Sequence, residues 1–379
     1  MSGSPRLHDV VITGIGLISS LGEGLSPHVE ALRSGAATLP DATQFAPYCV
    51  HLMAALELDR QIPKKSDQRQ MEPWQRLGVY AAGLALDSAG IKDDAEAKAK
   101  LECIVAAGGG ERDHAVDGQI LTGLRTAADK GAFLNERLMS DLRPTLFLAQ
   151  LSNLLAGNIS IVHGITGASR TFMGEEQCGV DAIRTAVARI AHGQCGAMLV
   201  GGAFNAERRD MLLLMEAGGM LSHGAFQPVL ARKGAASGMI LGSMAAFLHL
   251  ETRSTAEARG ATIFADIAAI ATDQCRRDKA GQVAASLAGV MTKVGTASQL
   301  IATSSGAAVM AEELQAFAAV LPGVSAVASG DLVGHGLEAA FPVAVAMAAG
   351  RIAVGDSDSI IVAGAGHHRG EGAARLVRA

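Results

Sequence analysis

The order of elements predicts an α/β fold: parallel sheets covered by helices, with the α/β unit present twice. Three observations carry this. Short apolar runs alternate with helical patterns along the whole 379-residue chain. The composition, 49% hydrophobic and 18% charged with 45 glycines, fits a tightly packed interior. Two strand-to-glycine segments echo each other, Met198-Leu-Val-Gly-Gly-Ala203 and Ile361-Val-Ala-Gly-Ala-Gly366.

Val10–Thr13 reads as a buried strand, and Gly14-Ile-Gly16 as a tight turn after it. Residues 26–34 read as a helix, with Ser26 as N-cap and Pro27 at its first position. Residues 40–72 carry three prolines and a polar run and read as a solvated loop. Trp74–Ala89 is a helix closed by Gly90, with Leu77, Ala81, Leu84 and Ala85 on one face. Glu102–Ala107 is a strand. The triple glycine 108–110 after it lets backbone pass close to a packed element or a ligand. Residues 112–145 read as a polar helical excursion, and Phe147–Leu155 as an apolar helix. Further on, strands are expected at Ala197–Gly202, Met239–Leu250, Ile263–Ile270, Leu300–Thr303 and Ser359–Gly366. Helices are expected near 208–218, 252–259, 280–292, 307–319 and 337–349.

Composition also excludes function classes. A formal net charge of −5 gives no footprint for nucleic acid, and 3% aromatic residues are too few for base stacking. No apolar window reaches the ~18 residues of a membrane span. The first residues lack the basic flank and apolar run of a signal peptide, so a cytoplasmic protein is expected. Five scattered cysteines with no CxxC pair argue against a disulfide framework and against zinc. Gly14-x-Gly16 lacks the third glycine of a dinucleotide fingerprint. His367-His368 has no nearby carboxylate and reads as a solvent-facing loop pair. Neither a cofactor nor a metal is expected.

The stretch Phe172–Ile183 is the candidate site. It lies between two strand-like runs, Ile159–Val162 and Ala197–Val200. A helix pattern starts inside it, with Val180, Ile183, Ala186, Val187 and Ile190 on one face. A strand running into a helix N-terminus presents backbone N–H groups and the positive end of a dipole, which suits nucleophiles and oxyanions. Two adjacent carboxylates, Glu175 and Glu176, stand at that turn, with Cys178 just behind them. Cys178 reads as a small buried hydrophobe rather than as a reactive thiol.

Across nearly its whole length the chain resembles the β-ketoacyl-acyl-carrier-protein synthases of the thiolase superfamily. The matching pieces are Val10–Ser19, Cys178-Gly-Val-Asp-Ala-Ile183, Gly193 with Met198–Gly202, Glu251-Thr-Arg253, Arg259-Gly-Ala261, Ile263–Ile267, Gly334-His335 with Ala339-Ala340, and the glycines 364 and 366. The resemblance implies a thiolase-like fold: two duplicated α/β halves in a five-layer αβαβα arrangement, here residues 1–250 and 251–379. It also implies a dimer formed through the nucleophile-side strand. The family reaction is decarboxylative condensation of carrier-bound acyl groups. It uses a cysteine at a helix N-terminus, two histidines and a backbone oxyanion hole.

Position by position, the resemblance places Glu176 where the nucleophilic cysteine belongs. Thr303 falls at the first histidine, His335 keeps the second, and Gly330 stands where a lysine is expected. The gating phenylalanine is absent around Val362-Ala363. An intact scaffold with a dismantled site resembles the chain-length factors, although Glu, not Gln, occupies the nucleophile position. The expectation is a β-ketoacyl-carrier synthase-like subunit of fatty-acid, very-long-chain acyl or polyketide assembly. It would lack condensing activity and pair with an active ketosynthase and an acyl carrier protein. Two alternatives stand beside it. One is a divergent 3-oxoacyl synthase or malonyl-carrier decarboxylase using Glu176 and His335; the other is a homodimeric acyl-binding scaffold. A hydrogen-bonded Glu176–His335 pair filling the vacant site is a further expectation.

Overall fold

The computed structural model describes residues 9–141, 148 and 150–379. The expected helix from Phe147 and the end of the polar excursion fall partly outside them, as do the residues of the expected non-signal start. Among the described residues the main sheet has eleven strands. The first half supplies β1 (Val10–Ser19), β2 (Gly22–Glu23), β4 (Glu102–Ala106), β5 (Ser169–Phe172), β6 (Ala197–Phe204) and β8 (Met244–Thr252). The second supplies β9 (Ala265–Asp273), β10 (Gln299–Ala302), β11 (Ala326–Ala328), β12 (Ser359–Ala365) and β13 (Glu371–Val377). Two further short strands, β3 (Val50–His51) and β7 (Leu241–Gly242), pair with each other.

The order across the sheet is β11-β10-β12-β13-β9-β1-β8-β6-β4-β5, with β2 paired to β1. It divides where β1 meets β9, which pair only at Val11–Asp266 and Ile12–Ala265. Numbered along the chain, the five strands of each half (β2 apart) then lie in the same order, 3-2-4-5-1. The strand directions repeat too. β4 is parallel to β5 and β6, as β10 is to β11 and β12, while the last two pairings of each half are antiparallel. The sheets are therefore mixed rather than wholly parallel. The echo between β6 and β12 is real, since each is the fourth strand of its half.

Three apolar clusters define the layers. The largest surrounds the helices Glu176–Ala191 and Ala340–Ala353, sandwiched between the two halves of the sheet. Helix Ala340–Ala353 is apolar on all sides up to Gly350, as a stretch buried on every face must be, and carries Arg351 only in its last turn. A second cluster lies under helices Pro73–Ser88 and Leu154–His163, against the first half's outer face. A third lies under Gln282–Val294 and Met310–Val320, outside the second half. The result is five layers, αβαβα.

Several local expectations are corrected. Gly14 and Gly16 lie within β1 and make no turn. A Cβ on Gly16 would come within 1.8 Å of the Ala81 carbonyl oxygen, so glycine is what lets helix Pro73–Ser88 lie directly on the strand. Ile159–Val162 belongs to helix Leu154–His163, where Leu155, Ala156, Ile159 and His163 are buried at helical spacing. A short apolar run alone does not separate strand from helix. The strand that precedes the candidate site is β5, which is half polar and gave no periodic signal. The small-residue strands β11 and β13 were missed for the same reason. Residues 65–70, inside the expected loop, form one short helix.

Candidate functional site

Parallel strand β5 ends at Phe172, and the chain turns through Met173-Gly174-Glu175 into helix Glu176–Ala191. The helix starts four residues earlier than its apolar pattern shows. Glu175 sits at φ 56°, ψ −138°, a conformation non-glycine residues rarely adopt, and such strain persists only where surrounding structure enforces it. The bend places Glu176 in the first helical position, aimed inward and only 8% exposed. Gly179, one turn on, has Glu338 O 2.6 Å from where a Cβ would stand, so the helix and the segment after His335 pack backbone to backbone.

His335 is held by its own backbone. Its amide donates to Ile240 O at 2.9 Å, and its carbonyl accepts from Gly242 N at 3.0 Å. Its ring is 97% buried by residue, and Nε2–H donates to Glu176 Oε1 at 3.0 Å. The expected Glu176–His335 pair is therefore formed. Burial pushes the Glu176 carboxyl up, but His335 and the backbone amides of Glu176 and His367 outweigh it and leave the pKa below its ordinary value. The helix dipole acts in the same direction.

Thr303 follows β10 and lines the same cavity as Glu176, together with Phe341, Gly364, Ala365 and Gly366. That cavity measures about 10 Å³, the scale of a single water position. At Gly330, the site of the expected lysine, a side chain would begin 3.1 Å from Val229 Cγ2. Cys178 is 2% exposed, its thiol donates to Glu175 O at 2.9 Å, and burial raises its pKa well above normal. This matches the reading of an inert thiol. The rings of His367 and His368 meet edge to face at 4.5 Å, and Glu176 lies near His367 and Glu175 near His368, which corrects the expectation of no nearby carboxylate. Among the described residues no three His, Cys, Asp or Glu side chains are grouped to hold a metal ion.

Two site carboxylates escaped the sequence reading. Glu313, from helix Met310–Val320, is fully buried and accepts from the Ala365 amide at 2.8 Å. Glu338 is 5% exposed, and its carboxylate lies 2.3 Å from where a Cβ on Gly108 would stand. The triple glycine thus accommodates a packed side chain. Burial pushes both carboxyls up to about 7, with the Glu176 charge adding to it. The signals were present: Glu313 shares a helix face with Ala316 and Phe317, and Glu338 is a lone charge in an apolar run.

The fold and the turn at Glu176 define a thiolase-like condensing-enzyme scaffold. Residues 7–256 match the family model for the β-ketoacyl synthase N-terminal domain, and the chain belongs to the β-ketoacyl synthase family. A 3-oxoacyl-[acyl-carrier-protein] synthase 2 from Vibrio cholerae serotype O1 is 27% identical over 266 residues, covering 68% of this chain and 61% of that protein. The match thus spans less than two thirds of that relative. Among solved structures, a β-ketoacyl synthase from Burkholderia phymatum superposes with a TM-score of 0.82 at 18% identity, over 98% of this chain and all of that one. The ishigamide ketosynthase/chain length factor follows at 0.79 and 21%, with the same coverage. These last two are likenesses of fold.

Proposed function

We propose that this chain is a non-condensing β-ketoacyl synthase subunit that acts beside an active ketosynthase in fatty-acid, very-long-chain acyl or polyketide assembly. The observation that carries the reading is the Glu176–His335 pair with about 10 Å³ left beside it. A carboxylate makes a poor nucleophile toward a thioester and would yield a mixed anhydride. The pair already satisfies the one retained histidine, and Thr303 supplies no imidazole. A ketosynthase/chain length factor among the similar folds supports a role by pairing. On this reading the two halves divide at the end of β8, which runs two residues past the expected 250/251, and the chain meets its partner along β5. That strand pairs with β4 alone among the described residues, beside exposed Ile161 and Met173.

The test is co-expression with the nearest intact synthase, followed by complex isolation and product chain-length analysis with acyl carrier protein. The expected result is a heterodimer whose product length changes when this chain is present. Condensation of acyl- and malonyl-carrier by the purified chain alone would overturn the reading. A homodimer that ignores the synthase would favour the scaffold alternative. Loss of carbon dioxide from malonyl-carrier that disappears in Glu176→Ala would favour the decarboxylase.

A further inference from the structure

The cavity beside the Glu176–His335 pair is small, and the polar atoms around it are unevenly matched. Glu176 Oε1 accepts from His335, while Oε2 is buried with no protein donor among the described residues. The amides of Glu176 and His367 face the carboxylate, yet neither meets Oε2 in hydrogen-bond geometry. Gln177 stands beside it. Its Nε2 donates to Thr272 Oγ1 and Asp181 Oδ2, which fixes the orientation of the amide and leaves Oε1 buried without a donor. Both residues line the cavity, and so does Thr303, the one lining residue with a hydroxyl. We infer that the cavity is a built site for a single ordered water, which donates to Glu176 Oε2 and Gln177 Oε1 and accepts from the Thr303 hydroxyl. This goes beyond the pairing role and does not depend on whether the chain condenses thioesters.

Space, bonding and backbone agree on this occupant. The volume of about 10 Å³ holds one water and nothing larger. A carboxylate and an amide oxygen only accept, and Glu176, whose pKa lies below its ordinary value, stays ionised at neutral pH. Two such acceptors left unmet in a dry interior are costly. Water brings two O–H groups for them and a lone pair for the threonine, three bonds in all, as buried waters typically make. An anion would meet the charge of Glu176. A calcium-like cation needs about six or more oxygens, whereas the lining side chains offer Glu176, Gln177 and Thr303 alone. The backbone keeps each oxygen uncovered. A Cβ on Gly366 would stand 3.2 Å from Glu176 Oε2, one on Gly370 1.9 Å from Gln177 Oε1, and one on Gly364 2.2 Å from Thr303 Oγ1. All three glycines line the cavity. Glu176 and Gln177 come from the first half, and Thr303 and the glycines from the second, so the water bridges the halves. Thr303, which falls where the family has its first histidine, thereby becomes a positioning residue for the water.

The test is a crystal structure of the full chain at about 1.5 Å resolution, with Thr303→Val and Thr303→Ser beside wild type. Wild type should show one peak at hydrogen-bond distance, about 2.6–3.2 Å, from both Glu176 Oε2 and Gln177 Oε1. Thr303→Val should weaken or empty the peak and lower Tm by about 1–2 °C, whereas Thr303→Ser should keep both. An empty cavity in wild type overturns the proposal. So does an anomalous signal at the peak after a rubidium soak, which would mark a cation instead. A peak at full occupancy in Thr303→Val with an unchanged Tm overturns the role of the threonine. Should the valine variant fail to fold, the wild-type map decides.

Discussion

Replacing Glu176 by alanine removes the acceptor for His335 Nε2–H, 3.0 Å away in a site that water barely enters. Breaking a buried ion pair costs roughly 3–5 kcal/mol when the remaining charge stays uncompensated. Here the loss is that of a charge-assisted hydrogen bond, about 1.5–3 kcal/mol, plus the packing of the removed side chain. A loss of about 3 kcal/mol results. With an unfolding entropy of about 2.1 cal/mol/K per residue, 379 residues give about 0.8 kcal/mol/K, so Tm should fall by about 4 °C at neutral pH. Glu176→Gln, which can still accept from the ring, should fall by no more than about half of that. The pH dependence has a definite sign. The folded pKa of Glu176 lies below its ordinary 4.5, so its stabilisation is fully present above about 4.5 and is lost as pH falls through the folded value. Scanning calorimetry of wild type and both variants at about pH 7 and in acid checks this. An unchanged Tm for Glu176→Ala, or a deficit equally large in acid, would refute the account of the pair.

Glu338→Gln should behave oppositely. Its folded pKa of about 7 exceeds the ordinary 4.5, so wild type loses about 3 kcal/mol as pH rises between those values, whereas the glutamine does not. The variant's Tm relative to wild type should rise by about 4 °C from about pH 5 to about pH 8, and a flat difference would contradict the burial of an ionisable group there. Alkylation followed by peptide mapping at about pH 8 should label Cys49, Cys195 and Cys275 well before Cys178. Early labelling of Cys178 would overturn its inert reading. The double change Glu176→Cys with Thr303→His restores two family groups but leaves Gly330 where the family has a lysine. It should yield no condensation in a radiolabelled malonyl assay, and turnover above background would show that the substitutions alone silence the site.

The alternation of strands and helices was legible because its signals are periodic, whereas the five-layer stacking came from the resemblance to a family. Helix Pro73–Ser88 and the strands β4, β6 and β12 read clearly from apolar spacing and closing glycines. What failed to show was set by tertiary contact. Gly14 and Gly16 looked like turn residues, yet their lack of a side chain serves a helix some 65 residues further along the sequence. β5 and β13 carry polar or small residues and are held as strands by their neighbours. At the site, Glu176 and His335 came from resemblance to a family, and their contact joins residues 159 positions apart. Glu313 and Glu338 stayed hidden because the family pattern drew attention to expected positions. The plain anomaly of a carboxylate on an apolar face would have found them.

The repeated strand order gives the Glu176–His335 bond a second meaning. In each half the third strand, β5 or β11, leads through a turn into a central helix, and that helix leads to the fourth strand, β6 or β12. Glu176 and His335 lie in these two corresponding connections, so the pair is a handshake between equivalent corners of a pseudo-symmetric body. A change at one corner is therefore felt by the other through a contact that crosses between the halves. The bond therefore works as a rivet between the two halves at the buried centre of the chain.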